Sequence, residues 1–281
     1  RPPRSTLFPY TTLFRSKQIT KIIGIVFAFL ITQIVCTLGV FIFKLFSDSQ
    51  WYDNLYVCIE TGNLLSYSYL SMLSELIMPA LFVSDIIILE FVVLKEYKVN
   101  KSIIFISKLS LKDVKTFILT GIIMNFLASV VIDSLPNNLV SNSYNSLMNV
   151  AVTGNWLQVL LITGVITPVV EELIFRYGIT KIIKQNKFFK KPDVSSIYIS
   201  AFVFGLVHFN IIQSTYAFIF GIILAYVYIK TDNLLPSILI HIGVNASSVL
   251  YSFMPVMLQN ICLIVMSIIF FIIVINEYNT D

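Results

Sequence analysis

Two carboxylates and a guanidinium stand where charge is costly. Glu171-Glu172-Leu-Ile-Phe-Arg176 lies inside an apolar run from about Trp156 to Ile183. On insertion scales each charged side chain near a bilayer centre costs about 2.5–3.5 kcal/mol, so three cost on the order of 8–10 kcal/mol. About eight apolar neighbours return roughly 4 kcal/mol, so lipid exposure loses. These charges must face a bundle interior or a polar cavity. The chain's only two histidines, His208 and His241, also fall in apolar segments, and Asn245 follows His241 by four residues. Carboxylate, imidazole and carboxamide groups in a low-dielectric setting can activate water and stabilise an oxyanion. The same groups can equally form an interhelical salt-bridge and hydrogen-bond network with no chemistry at all.

Helical spacing divides the cluster. Glu172 and Arg176 are four apart, about 40° around a helix, and can pair. Glu171 lies about 100° from Glu172 and about 140° from Arg176, so that face does not neutralise it. One carboxylate is then fixed by the arginine, and the other remains available as a general base in a site screened from water. Pro168, three residues before Glu171, removes a backbone donor and is expected to kink the helix. Phe204 and His208 share one helix face, as do His241 and Asn245.

In order and approximate spacing, Glu-Glu-x-x-x-Arg at 171–176, Phe-x-x-x-His at 204–208 and His-x-x-x-Asn at 241–245 resemble the three motifs of the CPBP family. These are intramembrane proteases related to type II CAAX prenyl endopeptidases and to Abi-type bacteriocin-processing and self-immunity proteins. The stretch from Phe220 to His241 also looks like the family's link between its second and third motifs. The resemblance covers about residues 150–250. It implies an intramembrane endopeptidase acting on a membrane-associated or lipidated peptide. Glu171 and His208 would polarise the attacking water, His241 and Asn245 would stabilise the oxyanion, and Glu172, Arg176 and Phe204 would support the site. No cofactor is then required. The metal alternative is a zinc ion held by His208, His241 and Glu171 with water as fourth ligand. Against it, there is no His-Glu-x-x-His spacing, and the two histidines come from different helices.

The elements that must position these residues are hydrophobic helices. Of 281 residues, 57% are hydrophobic and only 12% charged, about half the charge of a soluble domain. The expected fold is all-α: a polytopic membrane protein of about eight transmembrane helices, with a polar catalytic cavity between the C-terminal ones. The apolar segments run approximately Gln18–Phe46, Glu75–Leu94, Val114–Leu135, Trp156–Tyr177, Ser195–Asn210, Thr215–Ile229, Leu234–Tyr251 and Val256–Ile275, each near the ~20 residues of a span. The fifth and sixth are short, and Gln213-Ser214 barely separates them, so a tight helical hairpin is expected. Arg1 to Ser16 (RPPRSTLFPYTTLFRS) resembles translated sequencing-adapter read-through and is set aside as non-structural. Residues 17–281 are read as one integral membrane domain.

Lysine distribution orients the chain. Loop Lys95–Lys115 holds six lysines and Lys181–Lys191 five, whereas Ser47–Ser74 and Pro136–Asn155 hold no Lys or Arg. By the positive-inside bias both termini are cytoplasmic, in a bacterial cytoplasmic membrane. Lys44 is the exception and is expected to snorkel. A net charge of +4 spread over loops does not suggest nucleic acid. The expected partners are the bilayer and a membrane-embedded or lipidated peptide, and no oligomeric state is implied. Cys36, Cys58 and Cys262 have no metal spacing and read as small apolar residues. In the second segment, Asp85 is expected to pair within the bundle and Glu90 to reach the lysine-rich interface. Asn125, with Gly121 one turn before it, is expected to serve helix packing.

Two non-enzymatic readings use the same residues. A peptide-binding immunity protein would exploit the polar cavity without chemistry, and a small transporter would use the glutamates as an ion relay. The second expects an internal repeat, and none is visible.

Overall fold

In a computed structural model, residues 9–62, 67–100, 108–136, 139–184, 189, 191–255, 257–259, 261–262 and 265 are described. Among them there are helices and no strand. The long helices are α1 (Pro9–Ser47), α3 (Tyr67–Asn100), α4 (Leu111–Asp133), α6 (Trp156–Lys184), α8 (Ile211–Thr231) and α9 (Leu234–Ser252). Each is long and apolar enough to cross a membrane. The all-α, membrane-spanning expectation therefore stands, with six such helices among the described residues rather than eight. The expected fifth segment is a helix of only 15 residues, α7 (Pro192–Leu206). Most of the expected eighth lies outside the described residues.

Two further helices occupy loops that a search for long apolar runs passes over. Helix α2 (Ser49–Glu60) follows α1, and α5 (Leu139–Val152) precedes α6. Both are amphipathic. On α2, Trp51 and Cys58 are buried while Tyr52, Tyr56 and Ile59 are exposed, as expected of a helix lying in a membrane interface.

Polar caps punctuate the apolar sequence. Ser110 and Asp113 form a capping box at the start of α4. The Oδ1 atoms of Asn155 and Asn210 accept the first backbone N–H groups of α6 and α8. Asp232, in the left-handed region at φ 47°, closes α8. Because Asn210 starts α8, the break in the hairpin falls at Val207–Asn210; Gln213 and Ser214 lie inside α8, correcting the expected boundary. The hairpin itself is tight, since a Cβ on Gly205 would stand 2.8 Å from the Ser214 carbonyl oxygen.

The backbone gathers into two compact units, with divisions inside α3 at Met78/Pro79 and inside α6 at Val169/Val170. The first unit joins residues 1–43, 79–107 and 170–237. Its core packs Phe29 and Ile88 with Val170, Ile174, Phe175, Ile179, Ile183, Phe204 and Ala217. The second joins residues 44–78, 108–169 and 238–281. There Lys44 does not simply snorkel, for its ammonium pairs with Glu75 at 3.0 Å and Asp48 at 3.2 Å. Helices α4 and α9 touch backbone to backbone. A Cβ on Gly121 would stand 2.0 Å from the Ile240 carbonyl oxygen, and one on Gly243 would stand 2.4 Å from that of Ile118. Gly121 thus has the packing role its sequence position suggests.

This contact yields a prediction. Gly121→Ala forces main chain apart and should destabilise by about 1–3 kcal/mol, as overpacking does. Gly39→Ala, where a Cβ meets nothing within 4 Å, should leave stability unchanged or raised by up to about 1 kcal/mol through helix propensity. Thermal unfolding in detergent measures both.

Candidate active site

Helix α6 carries the twin glutamates through a change of backbone geometry. It is α-helical over Trp156–Leu161, π-helical over Ile162–Ile166, α-helical again over Thr167–Glu171 and π-helical over Glu172–Ile179. The sequence leads to the expectation of an α-helix kinked at Pro168; the two π segments on either side of Thr167–Glu171 depart from it. Such π segments widen the turn and leave ladder groups for other partners. One partner is Ser200 on α7, buried, whose hydroxyl donates to the Phe175 carbonyl at 2.6 Å.

The expected ion pair forms within the π segment. Arg176 Nη1 lies 3.0 Å from Glu172 Oε1, and both side chains are fully buried. The guanidinium also lies over the Phe204 ring at 4.1 Å from its centroid, an attraction strengthened by desolvation. Phe204 in turn meets Phe175 edge-on at 5.2 Å, and Phe175 meets Phe29 at 5.8 Å. The charged pair is therefore walled by aromatic rings. Glu171 is only partly buried. Asp85 on α3, Arg176 and Glu172 are charged groups that act electrostatically on its carboxylate.

Asp85 is the acidic neighbour that the motifs do not contain. It is fully buried and one turn before Ile88, which packs in the same core as Val170 and Phe175. A periodic signal was present, because Asp85, Ile88, Leu89 and Val92 share one face of α3. Glu90 is exposed.

His208 is not inside a helix, contrary to the expectation from hydropathy. It lies two residues past the end of α7 at Leu206, and the next residue, Phe209, has a positive φ of 53°. The last carbonyls of a helix lack intrahelical partners. The His208 backbone N–H bonds to Gly205, while its ring Nδ1 lies 2.8 Å from the Phe204 carbonyl oxygen. A carbonyl only accepts, so Nδ1 carries the hydrogen. In the neutral ring Nε2 then holds the lone pair that can take a proton. The Phe204 and His208 rings also meet edge-on at 5.0 Å. The Phe-x-x-x-His spacing thus reads as a helix C-terminus whose histidine caps its own turn.

Glu171, Glu172, Arg176, Phe204 and His208 all belong to the first unit, and His241 and Asn245 to the second. On α9, His241 is buried and Asn245 partly buried. Asn245 Nδ2 donates to the Thr163 carbonyl at 3.1 Å. Among the described residues, no group of three or more His, Cys, Asp and Glu side chains is gathered as a metal-binding set. In the first unit an open apolar groove of about 270 Å³ is lined by Ile22, Val26 and Leu30 of α1 and by Val203, Val207 and the exposed Phe209, which flank His208 in sequence.

The ion pair generates a stability prediction. Arg176→Met leaves Glu172 as an uncompensated buried charge and should cost about 3–5 kcal/mol. Adding Glu172→Leu should recover most of that loss, because a buried pair replaced by apolar groups is often neutral. Unfolding midpoints of the two variants, taken side by side, check this.

Comparison with protein families matches residues 153–247, about a third of the chain, to the model described as Type II CAAX prenyl endopeptidase Rce1-like. Comparison with curated proteins and with solved structures gave no match. The matched segment contains every position of the three motifs, so the resemblance read from those motifs is borne out. Residues 153–247 of this polytopic membrane protein are thus similar to the type II CAAX prenyl endopeptidases, in line with the resemblance to the CPBP family.

Proposed function

We propose that the protein is an intramembrane endopeptidase that hydrolyses a peptide bond in a membrane-embedded or lipidated peptide, using water activated by side chains. The observation that carries this reading is the fixed imidazole. The His208 Nδ1–H is committed to the Phe204 carbonyl, which leaves Nε2 as the proton acceptor. Glu171 stands at the α-to-π junction of α6, outside the Glu172–Arg176 pair. In this scheme Glu171 and His208 take the proton as water attacks the scissile carbonyl. The carbonyl π electrons move onto its oxygen, and the stored proton passes to the leaving amine as the C–N bond breaks. His241 and Asn245 are assigned the developing oxyanion on the motif correspondence, while Glu172 and Arg176 brace α6.

The substrate class rests on the setting. Glu171, Glu172, Arg176, His241 and Asn245 lie on helices apolar enough to span a bilayer, and an apolar groove is lined by residues on both sides of His208 in sequence. The lysine bias of the loops supports the orientation in this reading, a bacterial cytoplasmic-membrane enzyme with both termini cytoplasmic. No cofactor is required in this scheme.

The test is cleavage of a peptide panel by the reconstituted full chain: a prenylated CAAX peptide, a bacteriocin leader and a single-span membrane segment. Glu171→Ala and His208→Ala should each lower turnover by about 10²–10⁴-fold, the range of acid–base assistance, and a chelator should change nothing. Loss of wild-type cleavage with chelator would instead assign the water to zinc. Wild-type activity retained in Glu171→Ala would overturn the proposal.

A further inference from the structure

The Asn245 carboxamide is anchored at a gap in the backbone ladder of α6, where a π-to-α change of register coincides with a proline. At the end of the first π segment the Thr167 N–H reaches back five residues to the Ile162 carbonyl. The next donor would come from position 168, where the π register ending at Thr167 meets the resumed α register, so it faces two carbonyls, Thr163 five residues back and Gly164 four back. Position 168 is proline, which has no N–H. The Thr163 carbonyl accepts instead from Asn245 Nδ2 at 3.1 Å, across 82 residues of sequence. Thr163 does not close the gap itself, since its hydroxyl donates backwards to Val159 at 2.8 Å.

Packing permits the reach. A Cβ on Gly164 would stand 3.2 Å from Ala246 Cα and 3.1 Å from Leu160 Cδ1. Glycine beside Thr163 thus lets α9 approach α6 where Asn245 projects. Thr163, Gly164, Pro168, Asn245 and Ala246 all lie in the second unit, so the arrangement is internal to one compact body. A carboxamide has two N–H donors and one acceptor oxygen. With one N–H held by a main-chain carbonyl, the direction of the remaining groups is set.

We propose that Pro168 is a positioning residue: by withholding a backbone N–H it reserves the Thr163 carbonyl for Asn245 and so fixes the carboxamide. An alanine at 168 would supply the missing donor, compete for that carbonyl and release the side chain. The catalytic consequence rests on the proposed function; the structural one does not.

Two readouts separate them. In the first, thermal unfolding is measured for wild type, Pro168→Ala, Asn245→Ala and the double variant. Asn245→Ala should lower the midpoint in the proline background and by less than half as much in the alanine background. In the second, turnover is measured on a peptide that the wild type cleaves. Pro168→Ala should lower kcat by about 10- to 100-fold with KM little changed, the cost of a displaced group. Replacing Pro168 with lactic acid keeps the alanine methyl but puts an ester oxygen where the N–H would be. This variant should restore both the Asn245 coupling and turnover, which a merely steric role of the proline ring would not allow. Equal costs of Asn245→Ala in both backgrounds, or an ester variant behaving like alanine, would overturn the proposal. Coupling without cleavage of any peptide by wild type would retain the positioning and remove the proposed function. Absent coupling with an inactive Asn245→Ala variant would do the reverse.

Discussion

A fully buried glutamate–arginine pair governs the first unit. Two opposite charges in a low-dielectric interior persist only when they hold each other and are shielded from any third option. The Glu172–Arg176 contact at 3.0 Å meets the first condition. The Phe204 face under the guanidinium, with Phe175 and Phe29 behind it, meets the second. That requirement draws α7 against α6 and sets where Phe204 stands, and hence where its carbonyl meets His208. It also divides two adjacent carboxylates into different environments, one sealed with the arginine and one partly buried and outside that pair.

The side chains that define the candidate site share a second constraint. In lipid every main-chain group needs a partner inside the protein, and this fold spends that need on orientation. The Phe204 carbonyl at the end of α7 takes the His208 ring, and the Thr163 carbonyl takes Asn245. Ser200 similarly takes the Phe175 carbonyl in the second π segment and ties α7 to α6. Proline, π geometry and a helix end each leave a carbonyl outside the regular ladder. A side chain that completes it loses its rotational freedom, so the backbone irregularities lie where orientation matters for the proposed chemistry.

Much of this was legible in the sequence because the signals were strong and local. Charges within an apolar run had to be interior, four-residue spacing had to pair Glu172 with Arg176, and Gly121 near a polar Asn125 marked close packing. Hydropathy found each long helix, since a span of about 20 apolar residues is a one-dimensional property. It missed α2 and α5, whose apolar stripes are diluted by polar faces. It placed His208 within a helix because apolar composition continues through the turn that Phe209 makes. The π segments carried no readable signal. Pro168 announced a break in the ladder, but its partner, Asn245, lies 77 positions on, and only the fold relates them. The electrostatic influence of Asp85 on Glu171 is legible only once α3 and α6 are packed.

Separate duties for the two adjacent glutamates are the centre of this account. The most direct measurement compares Glu171→Gln with Glu172→Gln, taking unfolding midpoint and turnover per folded molecule for each. The account predicts that Glu172→Gln melts lower yet still turns over when folded, while Glu171→Gln keeps its midpoint and loses turnover. The reverse pattern, or two variants that lose stability and turnover together, would contradict it.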